Sequence, residues 1–432
     1  MQRRAKTVCT ALPAQKAPLI QKALASAATA ADVVRAVDEA GASKLDTIHC
    51  VTAVHRIALL TTTREQREEV KVGATLGAVL TALCPMTAVS KLNSQGVSNL
   101  TWALARLAAD VVLPPPLIDR IHTHAKRSAV WADATPQALA NTALAHGQLV
   151  SKGFVAADSG VMLVLAEAAM PRLEAFKASE LCQLIWAMAV TRTQPPAPAW
   201  TAAAWGAVVQ RLPQMNGTEL SLIVWSLGTL KAGPADKGAL ATVEARLAQQ
   251  APECDAQAVA NALLGLSRLD GGSKATVGAL LTRIHALLPH VQSAQALCLT
   301  LVACAKIGAV DTQRVSEIVT RILSLHAELT MEDVAQMCDA LASMGVGLDA
   351  AATAFVAQSL LLERLDTATA LQLDTICRAL RRFEYAPPPE LRAKLMGRCQ
   401  QLLGPDVPAD ADAMPPSRRV SSRMRHLLAL AA

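Results

Sequence analysis

From Val97 to Leu107, aliphatic side chains recur at spacings of 3, 4 and 3, as Val97, Leu100, Leu104 and Leu107. That spacing lays one apolar stripe along a helix. Asn99, Trp102 and Arg106, with Gln95 one turn earlier, fall within about 60° of one another on the opposite side, at about 100° per residue. One predicted helix therefore has a core face of aliphatics and a second face of amide, indole and guanidinium.

The same shape returns down the chain. The place of Trp102 is taken by Leu144, Trp186, Trp225, Leu264, Val302, Asp339 and Arg378, in steps of 42, 42, 39, 39, 38, 37 and 39 residues. A looser copy, Cys50 to Leu60, precedes the series. A fixed period in this range marks a stacked repeat array. Between successive stripes lies a second helical stretch. Several open on prolines, as at Pro114-Pro115-Pro116, Pro195-Pro196, Pro234 and Pro387-Pro388-Pro389. Proline suits the first helical turn, where its missing N–H would have no partner. Repeats without it, near Ser273, Asp311 and Leu348, use Gly, Ser or Asp to break and cap.

The pattern predicts an all-α fold: an α-solenoid of about nine helix-turn-helix repeats of 37–42 residues, with a right-handed superhelix expected. Neither helix of a pair can bury its stripe alone, so neighbouring pairs must stack. A short helix is expected over Ala31 to Ala40. The first array helix is expected over Lys44 to Leu60 and its partner over Arg64 to Leu83. Residues 31–404 are assigned to the solenoid. Residues 1–30 read as a transit peptide or basic N-terminal arm, and residues 405–432 as a Pro-rich linker and basic tail.

Charge sharpens this division. The chain carries a net charge of +6, yet residues 1–31 hold five cations and no acid, and residues 417–432 hold Arg418, Arg419, Arg423 and Arg425 and no acid. The body between them has 32 basic and 35 acidic residues, so the positive charge sits at the two ends. Basic arms are a common footprint of polyanion binding. The acid-free, Ala-, Lys- and Arg-rich start has the composition of an organelle leader. The ten cysteines are scattered, with no C-x-x-C pair. Cys182, Cys298, Cys304, Cys338 and Cys377 fall in helical stripes, which suits small apolar roles in a reducing compartment. No apolar run reaches the length of a membrane span.

The polar face carries the candidate chemistry. Its fuller copies are Gln95, Asn99 and Arg106; Gln137, Asn141 and Gln148; and Gln257, Asn261 and Arg268. One-base-per-repeat RNA readers present two or three such side chains on a row of helices. Amides bond base edges, and Arg stacks or holds phosphate. The row decays where Leu222 and Leu299 replace the amide and Asp339 replaces Trp. A trailing basic position (Arg106, Arg268, Lys306, Arg382), joined by Arg378 and Arg381, makes a positive cluster toward the C-terminal repeats. The structural alternative is that the amides and indoles pack on the next repeat, and that the cations merely sit at helix C-termini, where positive charge is favourable.

Enzyme signatures are absent, so no catalytic residue, cofactor or small-molecule substrate is expected. There is no G-x-G-x-x-G, Walker loop or H-E-x-x-H. Gly271-Gly272-Ser273-Lys274 lacks P-loop spacing and reads as a turn. His122-x-His124 is too close for one helix face and no metal is expected. His146, His285 and His326 stand alone and read as structural.

Trp102-Ala103-Leu104-Ala105-Arg106-Leu107 with Asn99 before it, and Pro387-Pro388-Pro389-Glu390-Leu391 opening a second helix, resemble the octotricopeptide repeat family. The stretches Asp32 to Val37 and Thr52 to Ala58 resemble the opening of such proteins and of their RAP-domain relatives. The chain departs from the family pattern in several repeats and shows no C-terminal RAP domain. The resemblance implies an organellar RNA-binding protein. With the decayed row, the acidic body and the basic ends, it favours a structural component of the mitochondrial ribosome, held on ribosomal RNA among protein partners. A sequence-specific factor for organellar messenger stability, splicing or translation is the alternative, with the chloroplast as alternative compartment. A protein-only scaffold subunit of a respiratory complex is a third reading.

Overall fold

The computed structural model describes residues 17–403, apart from 64, 67–69, 158 and 159. Among these residues every regular element is helical. The fold is an all-α solenoid of helix pairs. The helices are α1 (Ala17–Ser26), α2 (Ala30–Ala40), α3 (Thr47–Leu60), α4 (Val70–Leu83), α5 (Ser94–Leu107), α6 (Pro115–Ala125), α7 (Pro136–Ser151), α8 (Val161–Ala169), α9 (Ala178–Val190) and α10 (Pro198–Arg211). There follow α11 (Gly217–Thr229), α12 (Lys237–Gln250), α13 (Ala256–Arg268), α14 (Lys274–Leu287), α15 (Ala294–Ile307), α16 (Thr312–Ser324) and α17 (Met331–Met344). Helix α18 runs as Ala350–Phe355, a π-helical stretch Val356–Leu361 and Leu362–Arg364; α19 (Ala370–Arg382) and α20 (Pro389–Leu403) close the series.

The chain divides into two compact units. One holds the residues up to Met215 with Thr229–Ala239, the other Asn216–Gly228 and the residues from Leu240 on. In the first unit α3, α5, α7 and α9 pack in succession; in the second α13, α15, α17 and α19 do the same. These odd-numbered A helices carry the repeating stripe. Val97, Leu100, Leu104 and Leu107 are all fully buried, as the spacing requires.

The A helices meet through small side chains. Three residues after the Trp102 place stand Ala58, Ala105, Gly147, Ala189, Gly228, Ser267, Ala305 and Ala342. A Cβ added at Gly147 would lie 3.2 Å from Ala187 Cα, and one at Gly228 would lie 2.6 Å from the Gly265 carbonyl oxygen. The seam is thus main chain against main chain, and bulk there would force helices apart. In α19 the same place holds exposed Arg381.

Each even-numbered B helix from α6 to α18 runs into a 3-10 turn before the next A helix begins, as at Ser128–Trp131, Leu212–Gln214 and Leu288–His290. In several of these repeats an arginine late in the B segment ties the pair closed. Arg283 Nε donates to the Cys254 carbonyl at 2.8 Å, Arg321 Nη2 to Val291 at 2.7 Å and Arg398 Nη2 to Ala368 at 3.2 Å. Arg172, Arg211 and Arg364 donate in the same way to Ala132, Phe176 and Leu329. Each carbonyl lies just ahead of the A helix that the arginine's own B helix follows. The sequence shows these arginines recurring at about the repeat period but not what they bind. One cation in a polar helix reads as solvated until its partner is known.

The turn from A to B is also regular. Six residues after the Trp102 place the backbone enters the left-handed region at Arg192, Lys231, Asp270, Gly308, Gly345 and Glu384. The following N–H reaches back five residues, as from Thr193 to Met188, Gly271 to Leu266 and Tyr385 to Leu380. This is the Schellman pattern that satisfies helix-end carbonyls. Four of the six positions are not glycine.

Two expectations change. The helical body starts inside the segment read as a 1–30 leader or arm: α1 packs on α3, with Gln21 Nε2 donating to Thr52 Oγ1 at 3.0 Å and His49 Nε2 2.9 Å from the Ala17 carbonyl. His146 is not solitary either. Its Nδ1 lies 3.4 Å from His122 Nε2, and both rings are buried. Residues 1–16 and 404–432, with the expected leader start, linker and tail, lie outside the described residues. Cys50, Cys84, Cys254, Cys298, Cys304 and Cys338 are free thiols, and burial pushes the Cys338 thiol up to about 12.

Candidate nucleic-acid interface

The second face of each A helix is set outward by the burial of the first. Asn99, Trp102, Asn141, Leu144, Trp186, Asn261 and Val302 are half-buried, flanked by exposed Gln95, Gln137, Gln257, Lys306 and Arg268. The spacing thus gathers the candidate residues on one ribbon per unit, as their side of the helix dictated.

In the first unit the ribbon is densest on α5. Asn93 caps this helix, its side chain accepting from the Gly96 N–H at 2.9 Å. Gln95 Nε2 donates to Asn99 Oδ1 at 2.7 Å. The His55 ring of α3 lies 5.1 Å from the Trp102 ring, tilted by 46°. Burial, then the charge of Arg56, hold His55 below its usual pKa, so it is a neutral ring at pH 7. Arg106 places its guanidinium carbon 5.6 Å from the Trp102 centroid, a cation–π contact.

Arg106 has a second partner. Its Nε donates to the Ala58 carbonyl at 2.8 Å, across the seam to the previous A helix. Lys152 Nζ reaches the Ala105 carbonyl at 3.1 Å and Arg382 Nη1 the Ala342 carbonyl at 3.3 Å. All three carbonyls occupy the small-residue seam position. A cation at the end of one A helix therefore satisfies the C-terminal end of the helix before it, where both hydrogen bond and helix dipole favour it. The structural alternative accounts for part of the trailing basic row, while the outer part of Arg106 stays exposed.

In the second unit Gln257 Nε2 donates to Asn261 Oδ1 at 3.0 Å, repeating the α5 arrangement. Beyond it the ribbon closes on itself. Arg378 Nη2 binds Asp339 Oδ1 at 2.7 Å. Glu332 accepts from Gln336 and from Gln372 of the next repeat, each at 3.0 Å. The expected C-terminal cluster of Arg378, Arg381 and Arg382 is thus one ion-paired guanidinium, one exposed one and one tied to a carbonyl. Burial pulls the Arg268 pKa down from its usual value. Gln148 is half-buried near the end of α7. Arg418, Arg419, Arg423 and Arg425 lie outside the described residues.

Among the described residues no group of three or more His, Cys, Asp or Glu side chains could hold a metal ion, and no helix is long and apolar enough to cross a membrane. A groove of about 410 Å³ lies between the starts of α13 and α15, lined by Asp255, Arg283 and His290 among others.

No protein-family model matches the chain. No curated protein matches it. Among solved structures it is similar, at 10% identity and a TM-score of 0.26, to a chain from a homology model of the full-length AP-3 complex in an intermediate open conformation; the match covers 91% of this chain and 80% of that one.

Proposed function

We propose that this chain is an RNA-binding helical-repeat scaffold of an organelle, related to the octotricopeptide repeat proteins and seated on ribosomal RNA in the mitochondrion. The observation that carries the reading is the outward face of α5, where Gln95, Asn99, Trp102 and Arg106 stand together beside His55. Amide, indole, imidazole and guanidinium groups on one half-exposed surface suit unpaired bases and phosphate.

Ribosomal RNA is preferred to a messenger for physical reasons. A messenger reader needs an unbroken row of available side chains. Here the row is spent in part on neighbouring repeats, and the cations outside the body lie at the chain's ends. A scaffold needs shape and charged anchors, and affinity from such anchors is salt-sensitive and blind to sequence.

A second reading has its own observation. Asp339 with Arg378, and Glu332 with its two glutamine amides, make the ribbon of the second unit self-satisfied and partly acidic. That surface suits a protein neighbour better than phosphate, as in a protein-only scaffold. RNA crosslinking with sequencing in isolated organelles tests the pair. Crosslinks to ribosomal RNA, with co-sedimentation that survives nuclease trimming of messenger, are expected. Crosslinks to one transcript end would move the assignment to a messenger factor, and their complete absence would move it to the protein-only scaffold.

A further inference from the structure

We infer that Arg106 and Trp102 form a shelf on which one unpaired purine base stacks; this rests on the RNA reading and specifies how that site engages its ligand. The guanidinium of Arg106 is a flat donor group with two faces. Its carbon lies over the Trp102 ring, 5.6 Å from the ring centroid. The bond from Arg106 Nε to the Ala58 carbonyl, 2.8 Å long and crossing to α3, pins the group in place. His55 supports the indole from α3 at 5.1 Å.

This arrangement differs from a cation held for phosphate. A phosphate-binding arginine at the end of a long side chain swings to find its anion. Here Nε is already used, so the plane is pre-oriented and less side-chain freedom is lost on binding. The side chain as a whole remains exposed. A pinned guanidinium beside an indole offers two stacking surfaces for a nucleobase, and purines offer them more area than pyrimidines. Asn99 lies one turn back from Trp102, with its Oδ1 taken by Gln95 and its Nδ2 able to donate to the edge of a seated base. Lys152 and Arg382 make the same kind of carbonyl tie across the seam, which shows that the position favours a pinned cation.

The ligand chemistry is a purine base with an unpaired face. It could come from a single-stranded RNA or a free nucleotide, and the structure favours the strand, because neighbouring repeats extend the ribbon. The test uses the full chain with four probes: a twelve-nucleotide oligoadenylate, an oligocytidylate of equal length, a blunt RNA duplex, and AMP. Arg106→Lys keeps the charge and a donor for Ala58 but removes the plane. The variant is expected to lose about tenfold in affinity for oligoadenylate, the scale of one base stack. Its salt dependence and its duplex binding should be unchanged. Trp102→Leu, the residue type found at the equivalent place in α7, should lose a similar factor, and a thermal melt of each variant reports whether it has folded.

Equal binding of oligoadenylate by Arg106→Lys and the parent would overturn the shelf while leaving RNA binding intact. An equal loss on the duplex would make Arg106 a phosphate ligand and overturn it as well. AMP binding as tightly as the twelve-mer would overturn the strand as the source. If the parent chain binds none of the RNA probes, the RNA reading itself falls, and the shelf with it.

Discussion

Arg378 donates through Nη2 to Asp339 Oδ1 at 2.7 Å, and the two residues occupy the same repeat position on successive A helices. In sequence, Asp339 stands where Trp102 stands and reads as a repellent for phosphate, while Arg378 reads as an attractant. The structure makes them a neutral pair. Both side chains are more than a third exposed, so the pair adds little stability, about 0–1 kcal/mol. Asp339→Leu, which copies Leu144 and Leu264, is expected to melt within a few degrees of the parent. It should steepen the dependence of RNA affinity on salt by about one unit of slope, since one more guanidinium becomes available. A filter-binding salt titration measures this. An unchanged slope would mean that Arg378 does not meet RNA even when unpaired.

The helix seam gives a sharper stability test. A Cβ on Gly265 would sit 2.5 Å from the backbone of Val224 and Trp225 in α11, which are main-chain atoms and cannot rotate away. Gly265→Ala should therefore cost at least about 1–3 kcal/mol, the usual scale of overpacking. Gly278, inside α14, has nothing within 4 Å of such a Cβ. Gly278→Ala should gain about 0.5–1 kcal/mol from helix propensity alone. Urea unfolding followed by circular dichroism compares the two, and equal effects would show that the seam is not close-packed.

The left-handed turns predict a gain in stability. Lys231 has φ 53° and is exposed, so its ammonium makes no buried contact that a substitution would break. A non-glycine residue in that region costs about 1–2 kcal/mol. Glycine removes this strain but loses about 0.5–1 kcal/mol of chain entropy. Lys231→Gly should come out ahead by about 0.5–1 kcal/mol. Gly308→Lys, at the same turn position, should lose by a similar margin. A matched pair of thermal melts decides the sign of each.

Much of the architecture was legible because the stripe at 3 and 4 residues returns at a nearly constant period. Leu100 and Leu104 had to be buried, and Asn99 and Trp102 then had to face outward. The period alone also placed nine of the A helices. What it could not reveal is which polar groups are spent inside the array. Arg106, Lys152 and Arg382 look alike as cations near helix ends, and only the carbonyl opposite each shows that it is tied. Arg283 and Arg321 sit in B helices, and their partners lie about 30 residues away in sequence. The packing of α1 is hidden in the sequence for a related reason. Ala17 to Ser26 has the composition of a leader, and its fit against α3 depends on Gln21 and His49 meeting partners that composition does not reveal.

The buried histidine pair makes stability depend on pH. His122 of α6 and His146 of α7 meet at 3.4 Å between ring nitrogens, with rings edge-on at 5.0 Å. Burial pushes His122 down to about 4, opposed by Asp119 and aided by Lys126. It pushes His146 down to about 3, aided by His122 and Lys126. Both folded-state values lie below the ordinary 6.5 of histidine. Between those values the unfolded chain binds more protons than the folded one, so stability falls as pH falls. The contribution is complete above about pH 6.5, and is lost progressively below it until the folded rings titrate near 4 and 3. Urea midpoints at pH 7.5 and pH 5 should therefore differ more for the parent than for His122→Leu with His146→Leu, which has no imidazole left to protonate there. Carboxylates elsewhere shift both proteins alike over this range, so the difference between the two slopes isolates the pair. Parallel slopes would mean that the rings are protonated in the folded state as readily as in the unfolded one, and hence that water reaches them.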